Sequence, residues 1–261
     1  MIRSLWTGTT GMTGQQLNMD VIANNLANVS TTGFKKSRAD FQDLMYQIMK
    51  VPGSKSSADT ESPTGIQVGL GVRPAAVQKI FTEGDIIQTG NELDVAIEGS
   101  GFFQVEMPNG TTAYTRSGAF KRDSNGRLTT SDGYPILPAI TIPDGAKQIT
   151  ISETGVVSAI IGTDTVSTEI GAFETASFTN NSGLVSVGRN LFVESASSGT
   201  AQTAIPGTDG YGTLAQNYIE GSNVNIVEEM ASMITTQRAY EINSKTITTS
   251  DEMMKTTNNL V

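Results

Sequence analysis

Residues 226–261, IVEEMASMITTQRAYEINSKTITTSDEMMKTTNNLV, place an apolar side chain at every seventh position. Neither Gly nor Pro interrupts residues 222–261, so this spacing predicts one long amphipathic helix, with Ser222 or Asn223 as its cap. The apolar row comprises Ile226, Met233, Tyr240, Ile247, Met254 and Val261. The row beside it begins apolar and then becomes polar: Met230, Gln237, Ser244, Asp251 and Asn258.

The first thirty residues repeat this spacing in a weaker form. A companion row, offset by three positions, is apolar only at Ile22 and Val29. Residues 30–33, STTG, are turn formers and end the predicted helix near Asn28. The main row comprises Leu5, Met12, Met19 and Leu26. We therefore expect the two ends of the chain to pair as a coiled-coil-like domain.

The narrow apolar stripes of the two helices can be covered in two ways. They can form an ordinary antiparallel pair within one monomer, since an isolated narrow seam finds a partner somewhere. Alternatively, they pack between the subunits of a polymer, and composition alone does not separate the two arrangements. The second hypothesis assigns inter-subunit helix packing to Leu5, Met12, Met19, Ile22, Leu26, Val29, Ile226, Met230, Met233, Tyr240, Ile247 and Met254.

The chain between the two helices has the pattern of β-structure. Alternating runs cover residues 67–72, 93–97, 102–106, 113–120 and 150–161. Hairpin-type turn signals divide the runs: Asn109-Gly110, Asn125-Gly126, Asp132-Gly133 and Asp144-Gly145. The sequence therefore predicts a central, mostly antiparallel all-β domain, and the fold class is α+β.

The same patterns predict a division of the chain into five segments. Residues 1–32 form the N-terminal helix of an inner domain, and residues 222–261 form the C-terminal helix of that domain. Residues 33–65 connect the first helix to a central β domain at 66–195. Residues 196–221, rich in Ser, Gly and Thr, are expected to be a return linker.

Composition argues against several classes of protein. The chain has no cysteine and no histidine, so thiolate metal sites, cysteine nucleophiles and histidine general bases are excluded. The net charge of −9 argues against binding to nucleic acid. The first thirty residues contain no long apolar run, so we expect no membrane insertion and no cleaved signal peptide.

Fragments that resemble functional motifs have structural explanations. Residues 123–126, DSNG, resemble the start of a calcium loop but lack the distal glutamate, so a hairpin turn is expected. The acidic side chains of the β region lack an apolar setting, and no catalytic, cofactor-binding or metal site is predicted. The basic cluster Lys35, Lys36 and Arg38 is expected to be a solvated turn or a salt bridge between subunits.

Several stretches resemble the signatures of one family, the flagellar rod and hook proteins. One stretch lies at each end of the chain and two lie in the middle, so the resemblance covers nearly the whole sequence. The stretches are ANNLANVSTTGF at 23–34, LDVAIEGSGFFQV at 93–105, TRSGAFKRDSNGRL at 115–128 and EGSNVNIVEEMASMITTQRAYEINSK at 220–245.

Within that family the likeness is closest to the distal-rod members. Residues 1–12, MIRSLWTGTTGM, and residues 66–97 resemble those members, and the chain is shorter than the usual hook protein. The loop at about 47–65, with Pro52, Gly53 and Pro63, matches the position of a distal-rod insertion. The resemblance implies that this insertion makes the rod straight and stiff.

The resemblance also implies a function, which is structural and not enzymatic. The chain would polymerise into the distal rod, which transmits motor torque to the hook and encloses the protein-export channel. The terminal helices would form the inner layer of this tube, with Gln237, Ser244 and Asn258 facing the lumen. A proximal-rod or short hook protein of the same family is the alternative.

Partners and location follow from the same resemblance. The expected partners are further copies of the chain, the hook protein, the proximal-rod proteins, the P- and L-ring proteins and the flagellar type III export apparatus. The expected location is the flagellar basal body, in a rod that crosses the periplasm and reaches the outer membrane. Export would proceed without a cleaved signal peptide. No cofactor is expected.

Overall fold

The computed structural model describes residues 2–53, 55–57, 60–61, 63–162, 166–208 and 210–259. Helix α1 is Ile2–Ala27, helix α2 is Ile226–Asn259, and a 3-10 helix lies at Asn181–Gly183. The strands are β1 Ser37–Asp43, β2 Tyr46–Lys50, β3 Lys55–Ser57, β4 Thr60–Glu61, β5 Ile66–Gly69, β6 Val72–Lys79, β7 Ile86–Gln88, β8 Val95–Glu98, β9 Phe102–Glu106, β10 Thr112–Thr115, β11 Lys121–Arg122, β12 Leu128–Thr129, β13 Ile136–Leu137, β14 Ala146–Ile151, β15 Val156–Ile161, β16 Thr168–Ala172, β17 Thr175–Ser177, β18 Val185–Gly188, β19 Leu191–Val193, β20 Gln202–Ala204, β21 Thr213–Gln216 and β22 Tyr218–Glu220.

The α+β class predicted from the sequence is confirmed, with a helix at each end and strands between them. The chain folds into two compact units. The terminal unit comprises Met1–Ala27, Ser37–Gln78 and Asn225–Val261, and the central unit comprises Asn28–Lys36 and Lys79–Val224. The five segment boundaries expected from the sequence stay a prediction. Neither described helix has the length and apolarity needed to cross a membrane.

The central unit is organised around a seven-stranded antiparallel sheet. Its strand order is β18-β19-β10-β9-β17-β20, and β13 also pairs with β9. Successive side chains of a strand point to opposite faces, so neighbours in β9 enter different cores. Phe103 and Val105 belong to the larger core, while Phe102 packs with Tyr114 and Phe192 in the smaller one.

Further strand pairs complete the central unit. Strands β14, β15 and β16 form a three-stranded sheet, and β21 pairs with β8 while β22 pairs with β7. Residues 150–161, expected as one run, are instead a hairpin, because Gly155 has a φ of 84° and the chain turns at residues 152–155. Residues 196–221, expected as a linker, contain β20, β21 and β22.

The four turn signals read from the sequence lie between strands or ordered segments. Each of their glycines has a left-handed φ that other residues adopt at a cost. The φ values are 79° at Gly110, 78° at Gly126, 86° at Gly133 and 89° at Gly145.

The terminal unit combines the two helices with short strand pairs. Strand β1 pairs with β6, β2 pairs with β5 in antiparallel register, and β3 pairs with β4. The hairpin of β2 and β5 contains the start of the predicted insertion. Its residues Pro52, Gly53 and Pro63 are exposed, while residues 54, 58, 59 and 62 lie outside the described part of the chain.

The predicted cap of the C-terminal helix was wrong. Helix α2 begins at Ile226, and the side-chain oxygen of Asn225 accepts hydrogen bonds from the backbone N–H groups of Val227 and Glu228, at 3.0 and 3.4 Å. Asn223 instead accepts from the N–H of Lys36 and donates to the carbonyl of Ile80, and Ser222 accepts from the N–H of Val224.

Candidate functional site: the helix seam and the motif junction

The contact between α1 and α2 is an antiparallel seam with regularly spaced polar layers. As the residue number rises along α1, the number of its partner falls along α2. Successive α1 members are 14 and then seven positions apart, and their α2 partners have the same spacing. The hydrogen-bonded pairs are Ser4 with Ser250 at 3.1 Å, Asn18 with Thr236 at 3.0 Å and Asn25 with Glu229 at 3.2 Å.

Between these layers, glycines of α1 let α2 approach closely. A Cβ atom added at Gly8 would lie 3.0 Å from Cγ1 of Ile247. A Cβ atom added at Gly11 would lie 2.9 Å from Nδ2 of Asn243. The seam is therefore narrow and is lined by small and polar residues. Within the described chain, α1 covers only this face of α2.

Asn25 joins the seam to the strand that follows α1. Its side-chain amide donates to the carbonyl of Ser37 at 2.9 Å, and its oxygen accepts from the N–H of Ser37 at 2.9 Å. The same amide donates to Glu229 of α2, and both side chains are buried. One asparagine thus fixes the end of α1 against β1 and α2.

A second polar site, the motif junction, lies within the central unit around Lys35, Arg116 and Glu220. The Lys35 ammonium is fully buried and donates to Glu220 at 2.5 Å and to the carbonyl of Thr82 at 2.6 Å. The expected solvated turn or inter-subunit salt bridge at Lys35 was therefore wrong. Its partner is a carboxylate 185 positions along the chain.

Arg116 completes the motif junction from the opposite side. Its guanidinium donates to the carbonyls of Ile97 and Gly99, at 3.2 and 2.6 Å, and lies 3.4 Å from Glu220. Glu220 also accepts from the N–H of Gly84 at 3.0 Å. Burial lowers the pKa of Lys35 and of Arg116, while the charge of Glu220 opposes that shift for both.

The junction brings together the sequence stretches singled out above. Lys35 directly follows ANNLANVSTTGF, Arg116 lies in TRSGAFKRDSNGRL, and Glu220 opens the C-terminal stretch. Its charges are paired with one another and with backbone groups. In the described part of the chain no three acidic side chains are grouped so as to hold a metal ion. The arrangement holds segments together.

Comparisons with known proteins match the same parts of the sequence. Three family models match: flagella basal body rod protein at residues 5–35, the flagellar hook protein FlgE/F/G D1 domain at 96–159, and the flagellar basal body rod FlgEFG protein C-terminal region at 215–260.

Full-length relatives decide which member of that group the chain resembles. The flagellar basal-body rod protein FlgG of Borreliella burgdorferi is 52% identical over 100% of this chain and 99% of its own length. The FlgG of Buchnera aphidicola from Acyrthosiphon pisum is 51% identical over 98% of both, and that of Caulobacter vibrioides is 46% identical over 99% of both. The chain belongs to the FlgG family of flagellar basal-body rod proteins.

FlgG-family membership confirms the structural role in the distal rod that the sequence predicted and places the chain in the flagellar basal body. The alternative of a hook protein has less support. The hook protein FlgE of Helicobacter mustelae is 42% identical over only 52% of this chain and 30% of its own length.

The residues predicted to pack between FlgG subunits lie in mixed environments. Ile22 is buried, and Ile226, Met230 and Tyr240 are exposed. Ile247 contacts Gly8 within the chain, so its role between subunits stays a prediction. The half-buried members are Leu5, Met12, Met19, Leu26, Val29, Met233, Ile247 and Met254. Val261 lies outside the described residues.

The predicted lumen-facing residues are accessible to different degrees. Gln237 and Asn258 are exposed, while Ser244 is half-buried. The polar row that actually forms the seam stands one position earlier, at Glu229, Thr236, Asn243 and Ser250. This row could have been found from the sequence, because its seven-residue spacing matches that of Ser4, Gly11, Asn18 and Asn25 in α1. A search restricted to apolar residues does not detect it.

The terminal unit of this FlgG-family chain exposes two apolar surfaces, and of their residues only Met230 was predicted from the sequence to pack between subunits. The outer face of α2 contains Val227, 76% exposed, with Met230 and Ile234. The apolar patch of the β2–β5 hairpin contains Met45, Tyr46, Ile48, Met49, Val51 and Ile66. Large exposed apolar areas mark sites of contact with other proteins, so both surfaces are candidates for such contacts.

Proposed function

We propose that this FlgG-family chain polymerises with copies of itself into the distal rod, a tube that transmits motor torque to the hook and encloses the export channel. The observation that carries the proposal is the exposed apolar surface on the outer face of α2 and on the β2–β5 hairpin. In a polymer these side chains leave water, and each buried Val, Ile or Met contributes about 1.5–3 kcal/mol.

Within such a tube we assign roles to the residues predicted from the sequence. Segments 1–32 and 222–261 form the inner layer, and residues 66–195 form the outer β layer. The lumen-facing residues are Gln237, Ser244 and Asn258, and Pro52, Gly53 and Pro63 mark the insertion that stiffens the rod. The inter-subunit helix contacts are the twelve apolar positions named in the sequence analysis, from Leu5 to Met254.

We assign the partners and route by the same reasoning. The chain contacts the hook protein, the proximal-rod proteins and the P- and L-ring proteins, and it is passed outward by the type III export apparatus. Its rod crosses the periplasm and reaches the outer membrane, without removal of a signal peptide. It binds no nucleic acid and does not insert into the membrane.

The chain acts without catalysis in this proposal. The absence of cysteine and histidine removes the usual nucleophile and general base. The buried charges of the motif junction are engaged with one another, at 2.5 Å between Lys35 and Glu220.

Electron microscopy of basal bodies tests the proposal. They would be isolated from a strain deleted for this gene and from the same strain carrying the gene on a plasmid. We expect the deletion to leave a truncated rod without hook or outer rings, and the plasmid to restore the full rod. A complete rod with rings and no hook would assign the chain to the hook, and normal flagella would reject the proposal.

A further inference from the structure

Residues 213–223, here called the closing segment, join parts of the central unit that are far apart in sequence. Strand β21 pairs with β8, and β22 pairs with β7. Between them, the Gln216 side chain donates to the carbonyls of Glu92 and Ile149, both at 2.8 Å, and accepts from the N–H of Ile151 at 3.0 Å. The closing segment therefore connects the β7–β8 region to the β14–β15 hairpin.

The closing segment also supplies groups that the core needs. Leu214 is buried in the larger core. Glu220 is 1% exposed and faces two cations, Lys35 at 0% and Arg116 at 4% exposure. Without Glu220 these cations would be buried beside neutral carbonyls, and an unpaired buried charge is strongly destabilising.

Residues 28–36, here called the strap, depend on the closing segment for their position. The N–H of Gly33 donates to the carbonyl of Glu220 at 2.8 Å, and the N–H of Lys36 donates to the Asn223 side chain at 2.7 Å. Asn223 also donates to the carbonyl of Ile80 at 2.9 Å. Two backbone N–H groups and the buried ammonium of the strap thus donate hydrogen bonds to Glu220 and Asn223, almost 190 positions later in the chain.

We propose that the closing segment controls the folding of the central unit: strap, core and motif junction form in one step that waits for residues 213–223. Until residues 213–223 are in place, the rest of the central unit lacks strands β21 and β22, the core side chain of Leu214 and the counter-charge of Glu220. If the chain is exported with its N-terminus leading, the central unit would stay unfolded until residue 223 had left the export channel. That last consequence rests on the proposed export route, whereas the folding order does not.

Native-state hydrogen exchange of the full-length chain, with and without Glu220→Gln, tests this inference. Three peptides are followed: the strap, β9 with β10, and the closing segment. In the unaltered chain we expect all three to exchange through one common opening with the same urea dependence. Glu220→Gln should accelerate exchange in all three by at least about 100-fold, the loss expected from breaking a buried ion pair.

The matched control is Glu106→Gln, which removes an exposed carboxylate at the end of β9 and should leave exchange unchanged. Faster exchange confined to the closing segment, with β9 and β10 still protected, would overturn the inference. If Glu220→Gln does not fold, pulse-labelled refolding of the unaltered chain decides. Protection of β9 and β10 before the closing segment would overturn the inference, and simultaneous protection would support it.

Discussion

Lys35, Arg116 and Glu220 illustrate how charge is used at the scale of single residues. A buried ion pair gains little over an apolar replacement of the same shape, because desolvation offsets the attraction. Removing one member is strongly destabilising, since it leaves the other charge buried without a partner. The motif junction therefore makes the fold sensitive to each of these three residues.

Glu220→Gln should lower the free energy of unfolding of the central unit by about 3–5 kcal/mol, because Lys35 and Arg116 lose their counter-charge. Urea denaturation followed by fluorescence or circular dichroism measures this. Glu106→Gln is the matched control and should change stability by less than about 0.5 kcal/mol. Equal effects of the two substitutions would contradict the pairing.

Gly118→Ala should destabilise the central unit by about 2–4 kcal/mol, since a Cβ atom would overlap the backbone carbonyl of Val95. Backbone cannot move aside as a flexible side chain can. Gly90 has no atom within 4 Å of an added Cβ, so Gly90→Ala serves as the control. Thermal unfolding compares them, and a tolerated Gly118→Ala would show that β8 lies elsewhere.

Residue-level detail was the least predictable part of the molecule. The neighbourhood of Lys35 in sequence is basic and polar, and its partner stands 185 positions away, so local pattern indicated a solvated turn. The buried role of Glu220 could not be predicted from composition, because burial is a property of the packed fold.

At the scale of elements, the α1–α2 seam owes its register to polar layers. Apolar side chains slide past one another at little cost, whereas a polar group in a helix seam must meet a polar partner. At the two ends of the seam, polar partners meet in the pairs Ser4 with Ser250 and Asn25 with Glu229. The register is therefore specific even though the apolar content of the seam is small.

The seam can be tested by cross-linking, because the chain has no cysteine of its own. Ser4→Cys with Ser250→Cys should form an intrachain disulfide under mild oxidation, since the two hydroxyls lie 3.1 Å apart. In the control, Thr248→Cys, at an exposed position of α2, replaces Ser250→Cys. Gel mobility without reductant reports the bond, and efficient bonding of the control alone would contradict the register.

The start of α2 gives a separate prediction. Asn225→Ala should lower the free energy of unfolding by about 1 kcal/mol, because the N–H groups of Val227 and Glu228 lose their acceptor. Asn225→Asp keeps an acceptor and should be nearly neutral. Helical circular dichroism during thermal unfolding measures both, and equal losses would show that Asn225 is not the cap.

Element type was more predictable than element detail. The seven-residue spacing located both helices, and the N-terminal helix ends at Ala27, one residue before the predicted position. Alternation located β9, observed at Phe102–Glu106 as expected. The hairpin at 152–155 and the strands at 202–220 were missed, because short strands are defined by distant pairing partners and carry weak local patterns.

At the scale of the whole molecule, the two units divide the apolar surface differently. Both core clusters belong to the central unit, which also exposes Val166 and Ile205, at 74% and 58%. The terminal unit contributes to neither core and leaves Val227 and Met45 exposed, at 76% and 82%. In the proposed polymer, the exposed apolar side chains of the terminal unit would become buried against neighbouring subunits.

Ser244→Leu tests the proposed lumen face. Because the proposal places Ser244 at the lumen, a bulkier apolar side chain there should reduce secretion of later flagellar proteins several-fold while changing the unfolding midpoint of the monomer little. Ser244→Thr, which keeps the hydroxyl, is the control. Secreted hook and filament proteins are quantified in culture supernatants; normal secretion with an unfolded variant would refute the assignment.

The central claim is that this chain builds the distal rod with its paired terminal helices inside. Electron cryomicroscopy of basal bodies, at a resolution that shows side chains, tests it most directly. We predict that the distal rod is built from this chain, that Ser4 lies beside Ser250 in every subunit, and that Gln237 and Asn258 border the channel. A distal rod built from another chain, or one with α1 and α2 on its outer surface, would contradict the claim.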